Sequence, residues 1–286
     1  MKIAIVGSSG YIAKYLIDTL SINNKIIRID KVGDVDYCLD LENPSFFDYC
    51  CLDDVDIIIF TAAISGPDKC ASDYELCWSI NVTGTKYFIE QAIKYNCKVL
   101  FFSSDATFGE NKGYAFDEES STNAYTAYGK MKKAIEDSFV GNHLFKAIRL
   151  SYVISRNDKF TSYCLKCLDN KEVVEVFDPF CRNCITIFDV LNSVKWLTEN
   201  WDIYIPTFLN IAGKELISRE DIVKEINKYC DNKIEYKIVN PDKSFFMNRP
   251  SITMMKSIYN EQYHIYEDNS FTEKMSEIWQ NSSGEQ

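Results

Sequence analysis

Positive charge is scarce in this sequence. Its 286 residues hold 31 Lys and Arg against 42 Asp and Glu, a formal net charge of −11. A nucleic-acid surface needs a basic stripe, so that class of partner is excluded. A small anionic substrate stays open, because it needs only a few local cations. No apolar run approaches the roughly 20 residues that cross a membrane. The apolar residues 3–6 are too few for a secretory leader and end at Gly7. Histidine is nearly absent, and His143 and His264 are isolated, with no role assigned. Tandem repeats, low-complexity tracts and Gly/Ser-rich linkers are missing too, so any domain boundary is soft. Hydrophobic residues make up 46% and charged residues 26%, which implies a folded globular chain. The length suits one large or two modest domains. Eleven cysteines, an odd number with no leader before them, fit a reduced, cytoplasmic protein with free thiols.

Strand and helix signals alternate along the first half. Strands are expected at 2–6, 25–29, 55–63, 98–103 and 146–150, and helices at 10–20 and 124–139. The run VDIIIFTAA at 55–63 is apolar almost throughout, as a strand covered on both faces should be. Ser72 followed by Glu75 reads as a capping box that starts a helix running to about residue 95. Such alternation implies an α/β fold of the Rossmann type, a doubly wound parallel sheet with helices on both faces. A dinucleotide-binding domain is expected over 1–155. A smaller C-terminal substrate-binding region should follow over 156–286, with elements near 185–211 returning to the sheet. Ligands of such sheets sit at the carboxyl ends of the strands.

Chemistry-bearing residues fall at those ends. Gly7, Ser8, Ser9, Gly10, Tyr11, Ile12 and Ala13 follow a strand and open a helix. Two glycines permit a tight turn and close approach to a pyrophosphate, and the helix start offers N–H groups to it. Asp30 ends the next strand about 20 residues on, where a carboxylate can bind ribose hydroxyls. It favours NAD(H) over NADP(H), since it would repel a 2′-phosphate. Arg28 and Lys31 keep NADP(H) open, because Arg28 lies on the same side of the strand as Asp30. Asp40 and Leu41 are placed beside the adenine, and Ala62 and Ala63 at the next strand end complete the cofactor set.

Tyr128 and Lys132 stand at i and i+4, on one helix face. Tyrosine is a poor acid or base near neutrality, with a reference pKa of about 10. A neighbouring lysine cation should lower it. Tyr128 could then exchange a proton with a carbonyl or hydroxyl, Lys132 hold the nicotinamide ribose, and Ser104 hydrogen-bond the same oxygen. Segment 105–123 joins this strand to this helix and is long enough to be functional; it is expected to close over the substrate. Gly84 inside a helix implies close approach to a neighbour, since it costs about 1 kcal/mol there relative to alanine.

Four stretches carry a family likeness: Gly7–Ala13, NVTGT at 81–85, Ser103-Ser104-Asp105, and Tyr128–Lys132. With them the chain resembles the extended short-chain dehydrogenase/reductases. TAA at 61–63, PDK at 67–69, SSDATF at 103–108 and NRP at 248–250 make it most similar to the dTDP-4-dehydrorhamnose reductases and related NAD-dependent sugar-nucleotide epimerases. The match is dense over 1–155 and thin beyond. The resemblance implies hydride transfer at a sugar carried on a nucleotide diphosphate, with reduction of a 4-keto sugar first among the readings. It implies Tyr128 as proton donor, Lys132 on the ribose and Ser104 on the carbonyl. It also implies Asp105 and Tyr152 in the sugar pocket, and Arg249 and Arg182 toward the diphosphate. It also implies that Asn81 lies near the active site; for Arg182 a surface ion pair is the equal alternative, and for Asn81 simple helix–loop bonding. Ala106 stands where dehydratases of the family carry an acid, which argues against dehydration. An epimerase that recycles tightly held NAD, and a non-catalytic subunit that kept the fold, are the other two functions. The family also makes a homodimer plausible. Cys164, Cys167, Cys181 and Cys184 form two CxxC pairs near zinc-ribbon spacing. Helical packing of the first pair argues against a metal.

Overall fold

The apolar runs of the first half become strands of one sheet. The computed structural model describes residues 1–110 and 113–281. The strands are β1 (Lys2–Val6), β2 (Lys25–Asp30), β3 (Tyr37–Cys38), β4 (Ile57–Phe60), β5 (Lys98–Ser104), β6 (Phe145–Leu150) and β7 (Phe208–Ile211). They form a seven-stranded parallel sheet in the order β7-β6-β5-β4-β1-β2-β3. Every residue of β4 and β6 is buried, as expected for strands with helices on both faces. The helices include α1 (Tyr11–Leu20), α2 (Thr85–Lys94) and α3 (Ala127–Phe139). Phe88 of α2, Phe60, Phe101 and Phe145 stack through the core, with ring centroids 5.7 to 6.1 Å apart. Burying each such side chain stabilises the fold by about 2 kcal/mol. β1 has β2 on one side and β4 on the other, so the chain reverses its winding there and opens a crevice at the strand ends.

The chain divides into two compact units. The first comprises Met1–Gly109, Thr122–Arg149 and Val194–Leu209. The second comprises Glu110–Ser121, Leu150–Ser193 and Asn210–Gln286, so it also takes in a stretch of the first half. Phe208–Ile211 is a sheet strand, whereas Ile185–Thr186 pairs with Val153–Ile154 instead. The second unit holds short ladders, such as Tyr236–Val239 beside Val174–Phe177, packed on helices Lys159–Asn170 and Arg219–Lys228. Val174, Ile222, Ile226 and Met275 lie in its core. Among the described residues no helix is long and apolar enough to cross a membrane.

One local expectation is corrected. Ser72 caps nothing: it ends the helix Pro67–Ser72, and its Oγ donates back to the Lys69 carbonyl at 3.3 Å. Pro67, preset for a first helical position, starts that helix instead. The single helix expected to run on to about 95 is broken into Pro67–Ser72, Tyr74–Trp78, a π-helical turn at Ser79–Gly84, and α2. Segment 105–123, expected to close over the substrate, is anchored at two of its described residues. Asn111 and Lys112 of it lie outside the described residues, but Phe116 bridges to Met255. Buried Glu118 accepts from Asn210 N (2.9 Å), Ser257 Oγ (2.6 Å) and Ile258 N (3.0 Å). Burial raises the pKa of that carboxyl.

Candidate active site

Gly7 ends β1 with φ +85°, and a Cβ there would lie 2.6 Å from Ala62 N. Only glycine satisfies both constraints. Gly7 N donates to Ile29 O at 2.8 Å and Gly10 N to Gly7 O at 2.9 Å, which closes the turn. Gly10 is the N-cap of α1 and has no side chain to cap it, so the helix start is shaped for an anion. Asp30 buttresses the turn: Oδ2 accepts from Ser9 N (2.9 Å) and Oδ1 from Lys31 N (2.7 Å). A cleft of about 250 Å³ opens beside it. Gly7, Gly10, Asp30, Asp40, Leu41, Ala62 and Ala63 line this cleft, as do Lys31, Leu39, Thr61, Ile64 and Ile80. Ser9, Tyr11 and Ile12 do not line it. Ser9 braces it through Asp30 and through Oγ to Val32 O at 2.7 Å, while Tyr11 stacks edge-on to Tyr15. Arg28 is held by Asp34 (2.5 Å) and Asp36 (3.3 Å), so its charge is already matched. Lys31 bonds Asp40 (3.1 Å) and Glu42 (3.0 Å).

Lys132 is 3% exposed. Its Nζ donates to Phe102 O at 2.7 Å and lies 4.4 Å from the Phe101 ring and 5.7 Å from the Tyr128 ring. Burial pulls its pKa down to about 7, with Glu136 and Cys70 acting against that. Burial, then Cys70 and Asp105, push Tyr128 above the usual tyrosine range. The expected lowering of the tyrosine by the lysine is therefore not present in this state; desolvation outweighs it. Ser104 Oγ donates to Asp105 Oδ1 (2.9 Å) and accepts from Ala106 N (3.2 Å), capping the turn Asp105–Thr107. Gly129 seats α3 on that turn: a Cβ there would lie 2.3 Å from Ala106 O. Thr126 caps α3 by accepting from Gly129 N at 3.1 Å. The positioning role of Gly129 was missed in the sequence, although its place between Tyr128 and Lys130 was a signal.

Asn81, 3% exposed, clamps the backbone that follows β4. Its Oδ1 accepts from Ile64 N (2.8 Å) and its Nδ2 donates to Ile64 O (2.9 Å). Of its two readings the structure shows the bonding one, applied to a residue that lines the cleft. Gly84 makes the close approach its helical position predicts, since a Cβ would fall 1.8 Å from Leu41 O.

Tyr152, Arg182 and Arg249 belong to the second unit. Tyr152 OH donates to Asp158 Oδ1 at 2.6 Å, and the Arg219 guanidinium stacks 4.1 Å from its ring. Arg182 is 9% exposed. Its Nη1 donates to Cys181 O (2.7 Å) and Ser251 O (3.1 Å), and its Nη2 to Pro250 O (2.6 Å). Those bonds tie Cys181–Arg182 to the parallel strand Ile252–Thr253. Arg249 covers the Phe245 ring at 4.1 Å. Cys164 and Cys167 lie on the helix Lys159–Asn170 and pack in the core with Cys184. Among the described residues no group of three or more His, Cys, Asp or Glu is placed to hold a metal.

The profile of the family described as the RmlD substrate binding domain matches residues 1–282. The dTDP-4-dehydrorhamnose reductase of Escherichia coli K12 is 27% identical over 183 residues, which are 62% of this chain and 60% of the relative. The chain thus spans about 60% of the length of that curated relative. Two solved structures share the fold. One is the dTDP-4-dehydrorhamnose reductase of Bacillus anthracis with NADP, at TM-score 0.83 and 17% identity, covering 98% of this chain and 99% of that one. The other is a UDP-glucuronic acid 4-epimerase of Bacillus cereus with NAD, at TM-score 0.79 and 19% identity, covering 98% and 100%.

Proposed function

We propose, from the premise that the chain belongs to the RmlD substrate-binding-domain family, that it is an NAD(P)-dependent oxidoreductase which reduces a 4-keto sugar carried on a nucleotide diphosphate. The observation that carries the reading is the seating of Gly129 on the Ser104 turn, which sets the start of α3, with Tyr128 and Lys132, against the end of β5. The Gly7 cradle, which a Cβ would fill, fits a dinucleotide pyrophosphate. Gly10, Asp30, Leu41 and Ala62 would hold the rest of the cofactor, whose chemistry is to supply hydride. Asp30 at the ribose position, with Arg28 already engaged by two carboxylates, supports NAD(H) as the preferred form.

Ser104 Oγ turns from Asp105 to donate to the sugar carbonyl oxygen. Tyr128 would give that oxygen its proton. The Lys132 ammonium stabilises the phenolate left behind. Asp105 and Tyr152 are assigned to the sugar and Arg249 to the diphosphate, while Arg182, whose donors meet the carbonyls of residues 181, 250 and 251, is left out of that set. Replacing Tyr128 by Phe should lower turnover of dTDP-4-dehydrorhamnose with NADH by about a hundredfold or more, the size of a lost general acid. Unchanged turnover would overturn the assignment. Stoichiometric NAD retained through purification, with no net NADH oxidation, would point instead to an epimerase.

A further inference from the structure

Arg219 opens the helix Arg219–Lys228 in the second unit, and three rings of that unit enclose its guanidinium. The centroids of Tyr152, Phe160 and Phe180 lie 4.1, 4.3 and 4.9 Å from it. The guanidinium also reaches the Tyr152 hydroxyl. Its Nη1 is shielded from water and has no hydrogen-bond partner. The carboxylates around it are committed elsewhere. Glu220 pairs with Lys224 at 2.9 Å and accepts from Tyr236 OH at 3.2 Å. Asp221 accepts from Ser218 N at 3.0 Å and Ser218 Oγ at 2.6 Å, which closes the capping box of the helix. Asp158 accepts from Tyr152 OH, Phe160 N, Ser155 N and Thr161 Oγ1 at 2.6 to 3.1 Å.

Leaving a charged donor covered and unbonded is costly, and such a group calls for an explanation. The aromatic clamp does not supply one. Rings attract a guanidinium through its faces, whereas its five N–H donors lie in its plane. An oxyanion in that plane satisfies the fork. The start of the ten-residue helix adds positive potential at the same place.

The ring contacts narrow the choice of anion. Phe180 meets Phe245 edge-on at 5.8 Å, and Phe245 carries the Arg249 guanidinium at 4.1 Å. In this chain of contacts Arg219 comes between Arg249, assigned above to the diphosphate, and Tyr152, assigned to the sugar. Arg182 lies 4.7 Å from the same Phe180 ring, but its donors are spent on carbonyls. We propose that Arg219 binds the phosphate nearer the sugar in the diphosphate of the substrate. The inference rests on the reading of Tyr152 and Arg249 given above.

Nucleoside diphosphates and monophosphates separate this role from packing, because only the diphosphate carries the sugar-side phosphate. The full chain, R219Q and R219K are titrated calorimetrically with dTDP and dTMP, and with UDP and UMP. R219Q should bind the diphosphate about tenfold or more weakly, the size of a lost charged hydrogen bond, and the monophosphate within about twofold of the parent. R219K, which keeps the charge without the fork, should recover part of the diphosphate affinity. Monophosphate binding also reports that each variant is folded. Diphosphate affinity unchanged in R219Q overturns the role of Arg219 and leaves the proposed function standing. Equal losses for diphosphate and monophosphate overturn it too, since they mark a packing role. A parent that binds neither pair of nucleotides removes the proposed function and this inference together.

Discussion

Replacing Gly129 by alanine tests whether the contact between α3 and the Ser104 turn is what makes the site. A Cβ at 129 would lie 2.3 Å from Ala106 O and 3.0 Å from both Ala106 C and Thr126 Oγ1. Its neighbours are backbone and a capping hydroxyl, not the far end of a flexible side chain. The helix start or the turn must therefore retreat by about 0.7 Å before even a tight contact is reached. Alanine gains about 1 kcal/mol of helix propensity over glycine. Forced overpacking costs about 1–3 kcal/mol. The two nearly cancel, so net destabilisation should be about 2 kcal/mol at most, a fall of several degrees in Tm. Catalysis should suffer far more, because the displacement falls between Tyr128 and Ser104. A misplacement near 1 Å can cost about a hundredfold, or about 2.7 kcal/mol of transition-state stabilisation. Steady-state NADH oxidation with dTDP-4-dehydrorhamnose, beside a thermal melt and an NADH titration, separates the terms. A folded G129A protein with kcat/KM within threefold of the parent would refute the reasoning.

Gly84→Ala should lose on both counts, because a Cβ 1.8 Å from Leu41 O cannot be relieved by a side-chain turn; Tm should fall and NADH bind about tenfold more weakly, and a variant as stable as the parent with unchanged affinity refutes this. Asp30→Asn removes the charge that faces a 2′-phosphate while leaving an acceptor for Ser9 N, so the NADPH-to-NADH affinity ratio should rise about tenfold in paired titrations; a constant ratio would show that Asp30 does not set the preference. Lys132 carries a pH signature in stability. Its folded pKa, about 7, lies below the ordinary 10.5, so between these values the unfolded chain binds more protons and stability rises with pH. The Lys132 contribution, read as parent minus K132M in denaturant titrations, should climb from pH 7 to 9; a flat difference contradicts the burial argument.

The strands of the sheet and the glycine turn were legible because their signals are local. Ile57, Ile58 and Ile59 sit in an apolar run that suits burial on both faces, and Gly7 with Gly10 can be read without knowing what they touch. Features that depend on distant partners were not legible. Ser72 and Glu75 have capping-box spacing, but Pro67 had already set the helix start. Segment 105–123 has the length of a flap, yet Glu118 is satisfied by residues near 210 and 257, which no local pattern reveals. Arg182 looks like an anion ligand or a surface ion pair by type, while its donors are directed at carbonyls of residues 181, 250 and 251. Glu136 reads as one more charge on a helix until Arg149 and Ser103 are seen to hold it.

The pKa of Tyr128 bears on direction. The Tyr–Lys pair suggests a tyrosine lowered by its neighbour, which would suit a base that takes a proton from a sugar hydroxyl. Burial reverses that expectation, since removing water penalises the phenolate and raises Tyr128. A reductase begins its cycle with the phenol protonated and must surrender that proton once an alkoxide develops nearby. A dry site supplies the protonated form at neutral pH without further help. An epimerase must begin by removing a hydroxyl proton and would pay for the phenolate before any chemistry. The lysine is needed in both, but in reduction only after the proton has left, when the new phenolate itself favours the ammonium of Lys132. The same burial that weakens Lys132 as a resting cation thus favours Tyr128 as a proton donor.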